Sequence, residues 1–219
     1  HMPEILNEIE ARVLGSLVEK QLTTPEYYPL TLNALVNACN QKNNREPVVH
    51  YDETTVTQCL EALRDRNLVY VFYGSTSRVP KYKHMLPTVY ELEPSETAVV
   101  DIMLLRGPQT LGELRTRTER LYSFSGLGEI QETLDGLIRR DDPLVVKLPV
   151  QPGQKEARFA HLLSGPIDIE ALAVAHAARP SRGGADTERV EKLEEEVATL
   201  RAEIDTLKET FEEFRKQFE

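Results

Sequence analysis

The N-terminal part of the chain alternates between helical and strand-like hydrophobic patterns. Apolar residues recur every three or four positions near the start, which predicts an amphipathic helix that ends before Pro25. A short apolar helix follows Pro29, and a third helix is predicted to run from an N-cap at Asp52 to Asn67. Residues 68–73 are rich in strand formers, and residues 78–84 return as a second strand after a Gly-Ser-Thr-Ser turn. The pattern therefore predicts three helices followed by a β-hairpin.

The same order of patterns occurs a second time along the chain. A helix with an N-cap at Ser95 is followed by helical patterns from Thr110 and from Gly126, and then by two strand-like segments around a Gln-Pro-Gly-Gln turn. The segments LEALRDRNLVYV and LDGLIRRDDPLVVKL correspond in the two copies. Three helices and a hairpin are the order of a winged-helix domain. We predict a mainly α fold with small β-hairpins (α+β), with two tandem winged-helix domains at residues 3–88 and 89–164 and a C-terminal coiled-coil helix.

A heptad pattern occupies the C-terminal end, after a predicted flexible linker at residues 165–186. Apolar residues at alternating spacings of three and four predict a coiled coil over residues 187–219. These dimerisation candidates are Val190, Leu193, Val197, Leu200, Ile204, Leu207, Phe211, Phe214 and Phe218. A parallel pair would bring Glu196 to Arg201 of its partner, whereas an antiparallel pair would bring Glu196 to Glu203. The sequence thus predicts a parallel homodimer; the alternative is one amphipathic helix folded back on the body.

Charge is distributed unevenly along the chain. The net charge of −10 argues against a strongly basic nucleic-acid-binding protein. Residues 1–90 carry a net charge of only −1, whereas residues 91–170 carry −5 and residues 171–219 carry −4. The N-terminal third is therefore the part that repels phosphate least.

Several functional classes are disfavoured by the residues present. No apolar run approaches the ~18 residues of a membrane span and no signal-peptide pattern is visible, so we expect a cytoplasmic protein without membrane contact. Cys39 and Cys59 lie in apolar helical patterns, as reduced cytosolic cysteines do. With His50 and His84 they lack the paired spacing of zinc sites. Phosphate-binding and hydrolase motifs are missing. We therefore predict no enzymatic activity, no cofactor and no metal.

Polar and basic residues of the first copy suggest contact with double-stranded DNA. In winged-helix docking the third helix would enter the major groove and the hairpin would lie near the flanking backbone. Glutamine suits adenine, and threonine suits phosphate or a thymine methyl group. The candidates are Lys42, Asn43, Asn44, Arg45, Thr54, Thr55, Thr57, Gln58, Arg78, Lys81 and Lys83. The alternatives are a solvated loop whose asparagines bond their own backbone, and a merely exposed helical face.

The second copy is a poorer candidate for DNA. Its third helix carries Glu129, Glu132 and Asp135, which repel phosphate. Its one basic run, RTRTER at residues 115–120, is interspersed with acidic residues and favours a structural charge network. This copy is better suited to packing or to contact with another protein.

Three long motifs resemble the signature of the YceH family of uncharacterised bacterial proteins. They are VEKQLTTPEYYPLTLNALVNACNQKNNREPV at residues 18–48, SRVPKYKH at 77–84 and LRTRTERLYSFS at 114–125. The resemblance covers about residues 4–163. It implies tandem winged-helix domains and a bacterial cytosolic protein, with no established biochemical activity.

Two functions remain open at this point. One is a dimeric DNA-binding protein, such as a transcriptional regulator, that reads DNA with its first winged helix. The other is a non-enzymatic scaffold that holds protein partners with its winged helices and coiled coil. The pattern of apolar and polar residues in the third helix favours the DNA-binding function, and the net negative charge of the chain favours the scaffold.

Overall fold

The computed structural model of the chain describes residues 5–73, 79–150 and 154–168. The predicted coiled coil, most of the predicted linker and Arg78 lie outside the described residues. Within those residues the fold is α+β, with seven α-helices and two small antiparallel sheets. In the same described part, no helix is both long enough and apolar enough to cross a membrane.

The first half contains four helices and a three-stranded sheet. Its elements are α1 Glu8–Thr23, a 3-10 turn at Pro25–Tyr27, β1 Leu30–Thr31, α2 Leu32–Cys39, α3 Glu53–Asp65, β2 Val69–Tyr73, β3 Pro80–His84 and α4 Leu86–Tyr90. The predicted three helices and hairpin are all present. The short strand β1, which periodicity did not reveal, adds a third strand.

The second half repeats this order with shorter strands. Its elements are α5 Pro94–Arg106, α6 Leu111–Thr118, α7 Leu127–Ile138, β4 Val145–Lys147 and β5 Phe159–His161. The expected N-cap at Ser95 is wrong, because the N-cap is Glu93 and α5 begins at Pro94. There the Glu96 carboxylate accepts the backbone N–H of Glu93 at 2.9 Å. A capping carboxylate three residues into the helix satisfies a donor that Ser95 is too late to reach.

Local capping explains where the other helices begin. The side chain of Asn7 accepts the Glu10 N–H, and Asp52 accepts the Thr55 N–H at 2.7 Å. Thr31 and Thr110 cap α2 and α6 in the same way. Each cap satisfies one of the backbone donors that a helix start leaves without an intrahelical partner.

In both sheets, a segment that directly precedes a capped helix pairs with a strand of the hairpin. In the first, the order is β1-β3-β2, with all neighbours antiparallel. In the second, β4 pairs with β5, and Gln109 forms an isolated bridge to Phe159 of β5. Gln109 directly precedes the capped start of α6, as β1 precedes that of α2. The bridge therefore stands in the place of a third strand.

The two halves share a core. Residues through Ile167 form one compact unit, although the sequence pattern drew a boundary between residues 88 and 89. Nine consecutive residues of α5, Thr97–Leu105, are buried, which a helix covered on one face alone does not show. A Cβ added at Gly15 of α1 would lie 2.8 Å from Leu105 Cδ2. Because glycine lacks that atom, α1 and α5 approach closely and join the halves.

Candidate nucleic-acid interface

The polar corner at residues 40–47, between α2 and α3, is tied to the rest of the fold by side chains. The amide of Asn40 donates to the carbonyl of Tyr51 and accepts the Tyr51 N–H, both at 2.7 Å. This reciprocal pair closes the corner on itself just before α3 begins. The asparagine therefore has a structural role in setting the entry to α3.

Arg45 is the most buried polar side chain of this corner. Its side chain is 0% exposed, and its guanidinium grips the carboxylate of Glu19 on α1 at 2.6 and 3.1 Å. The same group donates to the carbonyl oxygens of Ala38 and Asn44. Burial by itself would raise the pKa of Glu19, but the hydrogen bonds and charge of Arg45, with a contribution from Lys20, outweigh it and hold that pKa below its usual value.

Further contacts bind the corner to both halves of the protein. Arg12 of α1 donates to the carbonyls of Cys39 and Pro47 at 3.2 and 2.6 Å. The Glu46 N–H donates to Leu105 of α5 at 2.9 Å. Asn44 has a left-handed backbone, with φ 58°, and its side-chain oxygen accepts from Arg106 at 3.1 Å. The corner is consequently a bracket, by which we mean a segment whose hydrogen bonds hold α1, α2 and α5 together.

These contacts correct the prediction for Arg45. A guanidinium that is buried and neutralised by Glu19 is not available to a phosphate of DNA. Asn44 is half-buried and engaged with Arg106. Lys42 and Asn43 are exposed, so the DNA prediction for them stays open.

Helix α3 exposes part of its predicted reading face. Val56, Leu60 and Leu63 are buried and form its inner face. Thr54 and Gln58 are exposed, whereas Thr55 and Thr57 are half-buried and the Thr57 hydroxyl donates to the Glu53 carbonyl at 2.7 Å. That local bond is the common behaviour of a helical threonine.

Acidic side chains share the exposed surface of α3. Glu53, Glu61 and Asp65 are exposed, and Arg64 is the exposed cation among them. The Asp52 carboxylate stays bound to the helix start, and that backbone hydrogen bond from Thr55 lowers its pKa. Phosphate would meet a mixed surface here, so affinity for DNA would depend on cations supplied by neighbouring segments.

The hairpin presents its lysines on a different face. Antiparallel partners project to the same side of a sheet, and Tyr70 pairs with Lys83 while Phe72 pairs with Lys81. Thr31 of β1 pairs with Lys81 and joins them. We call these five residues the outer sheet face. The alternate positions, such as Val69, Tyr82 and His84, point into the core, toward the helices.

The predicted DNA-contacting residues are therefore divided between two surfaces. The α3 candidates belong to a helix that packs on the inner side of the hairpin, where Tyr82 lies near Glu61 and Arg64. Lys81 and Lys83 belong to the outer sheet face. Arg78 lies outside the described residues. The sequence predicted α3 in the major groove and the hairpin near the flanking backbone, and strand alternation places Lys81 and Lys83 on the side of the sheet that faces away from α3.

The candidate thiols and the imidazole of His84 lie in the core, whereas His50 is exposed. Cys39 and Cys59 are free and buried, and burial raises the pKa of both thiols, that of Cys59 to about 12. His84 is buried beside Tyr28, at 5.9 Å between ring centroids, and burial followed by the charge of Lys83 lowers its pKa to about 4. The described ranges contain no cluster of three or more metal-ligating side chains. The thiols of Cys39 and Cys59, with their raised pKa values, are poor nucleophiles at neutral pH.

Charged residues of the second half pair with one another. Glu113 lies 2.7 Å from Arg158 and 3.5 Å from Arg117, and its carboxylate also accepts the Thr110 N–H. Arg117 also donates to Gln109, the residue that bridges to β5. Of the basic run for which the sequence favoured a structural charge network, Arg117 takes part in this network around Glu113. Arg115 and Arg120 are exposed.

Sequence reasoning overlooked two classes of residue. Tyr70 and Phe72 are 60% and 45% exposed, although aromatic side chains were assigned only to strand formation. The alternation of Val69-Tyr-Val-Phe, read with period two, was a signal for an outward aromatic row. Glu19, the partner of Arg45, gave no local signal because it lies 26 residues away.

Comparison with known proteins identifies the family. A sequence model described as "Protein of unknown function, DUF480" matches residues 6–154. The UPF0502 protein GSU0233 of Geobacter sulfurreducens is 49% identical over 223 residues, covering 100% of both chains. UPF0502 proteins of Opitutus terrae and Citrifermentans bemidjiense are 51% and 52% identical, covering 90% of this chain and 84% and 90% of their own. In agreement with the resemblance noted in its motifs, the chain belongs to this UPF0502 (DUF480) family of uncharacterised bacterial proteins.

Proposed function

We propose that this protein is a non-enzymatic, dimeric binder of double-stranded DNA whose first half is a winged-helix module. The observation that carries the proposal is the order α1–β1–α2–α3–β2–β3 with a sheet order β1-β3-β2. In this arrangement α3 is the third helix and leaves Thr54 and Gln58 exposed. A helix placed in this way fits the major groove, where glutamine recognises adenine.

Cations beside α3 supply the attraction to phosphate in this proposal. Lys42 and Asn43 are exposed in the corner that leads into α3. Arg64 adds a positive charge on α3 itself, against the exposed carboxylates of Glu53 and Glu61. These phosphate contacts give a modest affinity at physiological salt, and contacts to the bases supply the remaining binding free energy. Arg45 contributes indirectly, because it holds the corner in place.

The repeat of the topology supports a tandem arrangement. In the second half α5, the Gln109 bridge, α6, α7, β4 and β5 follow the same order. Its third helix, α7, exposes Glu132, and the half-buried Glu129 carboxylate accepts from the Ser125 hydroxyl at the first turn of the helix. We assign this second winged helix to packing against the first and to contact with proteins, in keeping with its acidic character.

The dimer is assigned to the heptads of residues 187–219. Two copies joined there would present two α3 helices to two half-sites of DNA. Replacing Leu200 and Leu207 with glutamate places carboxylates in the seam, so light scattering should then give the mass of a monomer. A variant that stays dimeric would show that another surface forms the dimer.

Selection of duplexes from a random-sequence library at two salt concentrations tests the DNA function. Wild-type protein should enrich a sequence motif, and Gln58→Ala should relax preference at one base while leaving the salt dependence unchanged. Lys42→Ala should weaken all sequences alike and reduce the salt slope by about 1. Glu132→Gln in the second half is the matched control and should change neither. Absence of enrichment at both salt concentrations would refute the proposal.

A scaffold function is the second candidate, supported by the exposed carboxylates of α3 and the exposed aromatics of the hairpin. It predicts a reproducible protein partner and no enriched DNA. Purification of the intact protein from cells, with and without nuclease, distinguishes the two. A protein partner that co-purifies equally well with and without nuclease treatment favours the scaffold.

A further inference from the structure

The outer sheet face combines aromatic rings on one strand with ammonium groups on the neighbouring strand. Tyr70 and Phe72 project from β2, and directly opposite them Lys83 and Lys81 project from β3. Each aromatic ring thus has an ammonium group as its cross-strand neighbour, at the short separation typical of such pairs. Neither lysine forms an ion pair in the part of the chain that the structure describes.

The face is open and has no acidic member. Tyr70 and Phe72 keep 60% and 45% of their surface exposed, and Lys83 is exposed while Lys81 is half-buried. Among the described strand positions that project to this side, the remaining residue is Thr31. A contiguous row of this composition contrasts with the net charge of −10 of the whole chain. The chain thus keeps carboxylates away from these five positions.

From these observations we propose that the outer sheet face binds single-stranded nucleic acid, with bases stacked on Tyr70 and Phe72 and phosphates held by Lys81 and Lys83. Stacking suits unpaired bases, because a duplex hides the faces of its bases within the helix. Lysine is a point charge with rotatable donors, which suits a phosphate backbone without sequence preference. This binding is separate from the duplex contact assigned to α3, because the two surfaces lie on opposite sides of the hairpin.

The competing occupant is an acidic or apolar segment of another protein. The position of the lysines on the outer sheet face disfavours it. A protein interface of ordinary size has an apolar centre and a polar rim. Here the charges do not form a rim, because each lysine lies directly opposite an aromatic ring. The rings form one row along β2 and the ammonium groups form a parallel row along β3, as the bases and the phosphates of an extended single strand form two parallel rows.

Fluorescence anisotropy with a labelled oligothymidine of about 12 nucleotides, a length within the span that small domains cover, tests the proposal on the full chain. Wild-type protein should bind this strand more tightly than a blunt duplex of mixed sequence. Two phosphate contacts predict a slope of log affinity against log salt of about −1.4. Tyr70→Ser combined with Phe72→Ser should weaken binding by about tenfold or more. Lys81→Gln combined with Lys83→Gln should weaken binding and flatten the salt dependence.

Matched controls separate this site from the rest of the molecule. Leu127→Ser removes an exposed apolar side chain from α7, and Arg120→Gln removes an exposed cation, so both should bind the strand as wild type does. Gln58→Ala on α3 should affect duplexes alone, so failure of the duplex function leaves this result readable. Circular dichroism and melting of each variant confirm that the outward-facing substitutions leave the fold intact.

Photocrosslinking of wild-type protein to the oligothymidine, followed by peptide mapping, provides a readout that needs no variant. Crosslinks within residues 69–73 support the site. The proposal is overturned by crosslinks confined to α3, by sheet-face variants that bind like wild type, or by no binding at low salt. It is also overturned if the Tyr70→Ser and Phe72→Ser variant loses a bound protein or a second copy of the chain while strand affinity is unchanged.

Discussion

Replacing Arg45 with methionine should lower the free energy of unfolding by about 3–5 kcal/mol, the usual cost of removing one partner from a buried ion pair. The side chain of Glu19 is only 7% exposed, so its carboxylate would stay in the interior without the guanidinium that now contacts it at 2.6 and 3.1 Å. The carbonyls of Ala38 and Asn44 would lose a charged donor as well. This loss is a large fraction of the about 5–15 kcal/mol that stabilises a typical domain.

The dependence on pH identifies the cause. In wild-type protein the pKa of Glu19 is depressed, because Arg45 outweighs the opposing effect of burial, so this group stabilises the fold above its unfolded pKa and less as pH falls. Without Arg45, burial is expected to raise the pKa of Glu19 above its unfolded value. Its contribution is then favourable at acidic pH and is lost as pH rises through the folded pKa. The deficit of the variant should therefore be largest near neutral pH and smaller near pH ~4.

Urea unfolding followed by circular dichroism between neutral and acidic pH measures both effects. The double variant Glu19→Leu with Arg45→Met should recover most of the loss, because no unpaired charge remains in the interior. Lys42→Met, at an exposed position of the same corner, is the control and should change stability little. A loss below about 1 kcal/mol for Arg45→Met, or a loss independent of pH, would refute the view of the corner as a buried bracket.

Four further substitutions test the packing and the buried ionisable groups. Gly15→Ala should destabilise by about 1–3 kcal/mol, because its Cβ would meet Leu105 at 2.8 Å, whereas Gly136→Ala, whose nearest contact is at 3.9 Å, should stabilise by up to about 1 kcal/mol in thermal or urea melts. Burial, followed by the nearby charge of Glu19, raises the pKa of Asp101 well above its usual value, so its neutral form favours the fold below the unfolded pKa and that benefit is lost as pH rises. Asp101→Asn should therefore gain stability over wild type at pH ~8 but not at pH ~4, and an equal gain at both values would contradict this. Burial lowers the pKa of His84 to about 4, so the folded state keeps this imidazole neutral while the unfolded chain takes up a proton. Wild-type stability should therefore fall by about 1.4 kcal/mol for each unit that the pH falls between the unfolded pKa and about 4. His84→Phe should lack this component in the same titration.

Predictions that rest on local signals agree with the structure at most positions. Helix α3 starts after Asp52, and the hairpin occupies the strands that its side chains predicted. The predicted short helix after Pro29 is α2, which ends at Cys39 where the polar corner begins. These features depend on residues within a few positions of each other, such as a cap and the N–H that it accepts. Ser95 is an exception, because Pro94 and Glu96 start α5 earlier than the nearest hydroxyl suggested.

Predictions that required knowledge of distant neighbours failed or were incomplete. Arg45 and Lys42 are both cations in one polar stretch, and the sequence offers no basis for separating them. Their difference comes from Glu19, which α1 brings to one of them and not to the other. The outward aromatics Tyr70 and Phe72 were missed because a strand former is consistent with either face of a sheet until the helices cover one of them.

The sequence by itself determined the order of helices and strands, the Asp52 cap that begins α3, the repetition of that order and the membership of the family. These properties follow from short-range periodicity and from long shared motifs. Only the tertiary structure decided that Arg45 is a buried bracket, that the two halves share one core at Gly15, and that the lysines of the hairpin lie apart from α3. The physical reason is that burial and pairing depend on which surfaces meet after folding. A residue's own chemistry states what partner it needs, but the packing of α1, α3, α5 and the sheet decides which partner it receives.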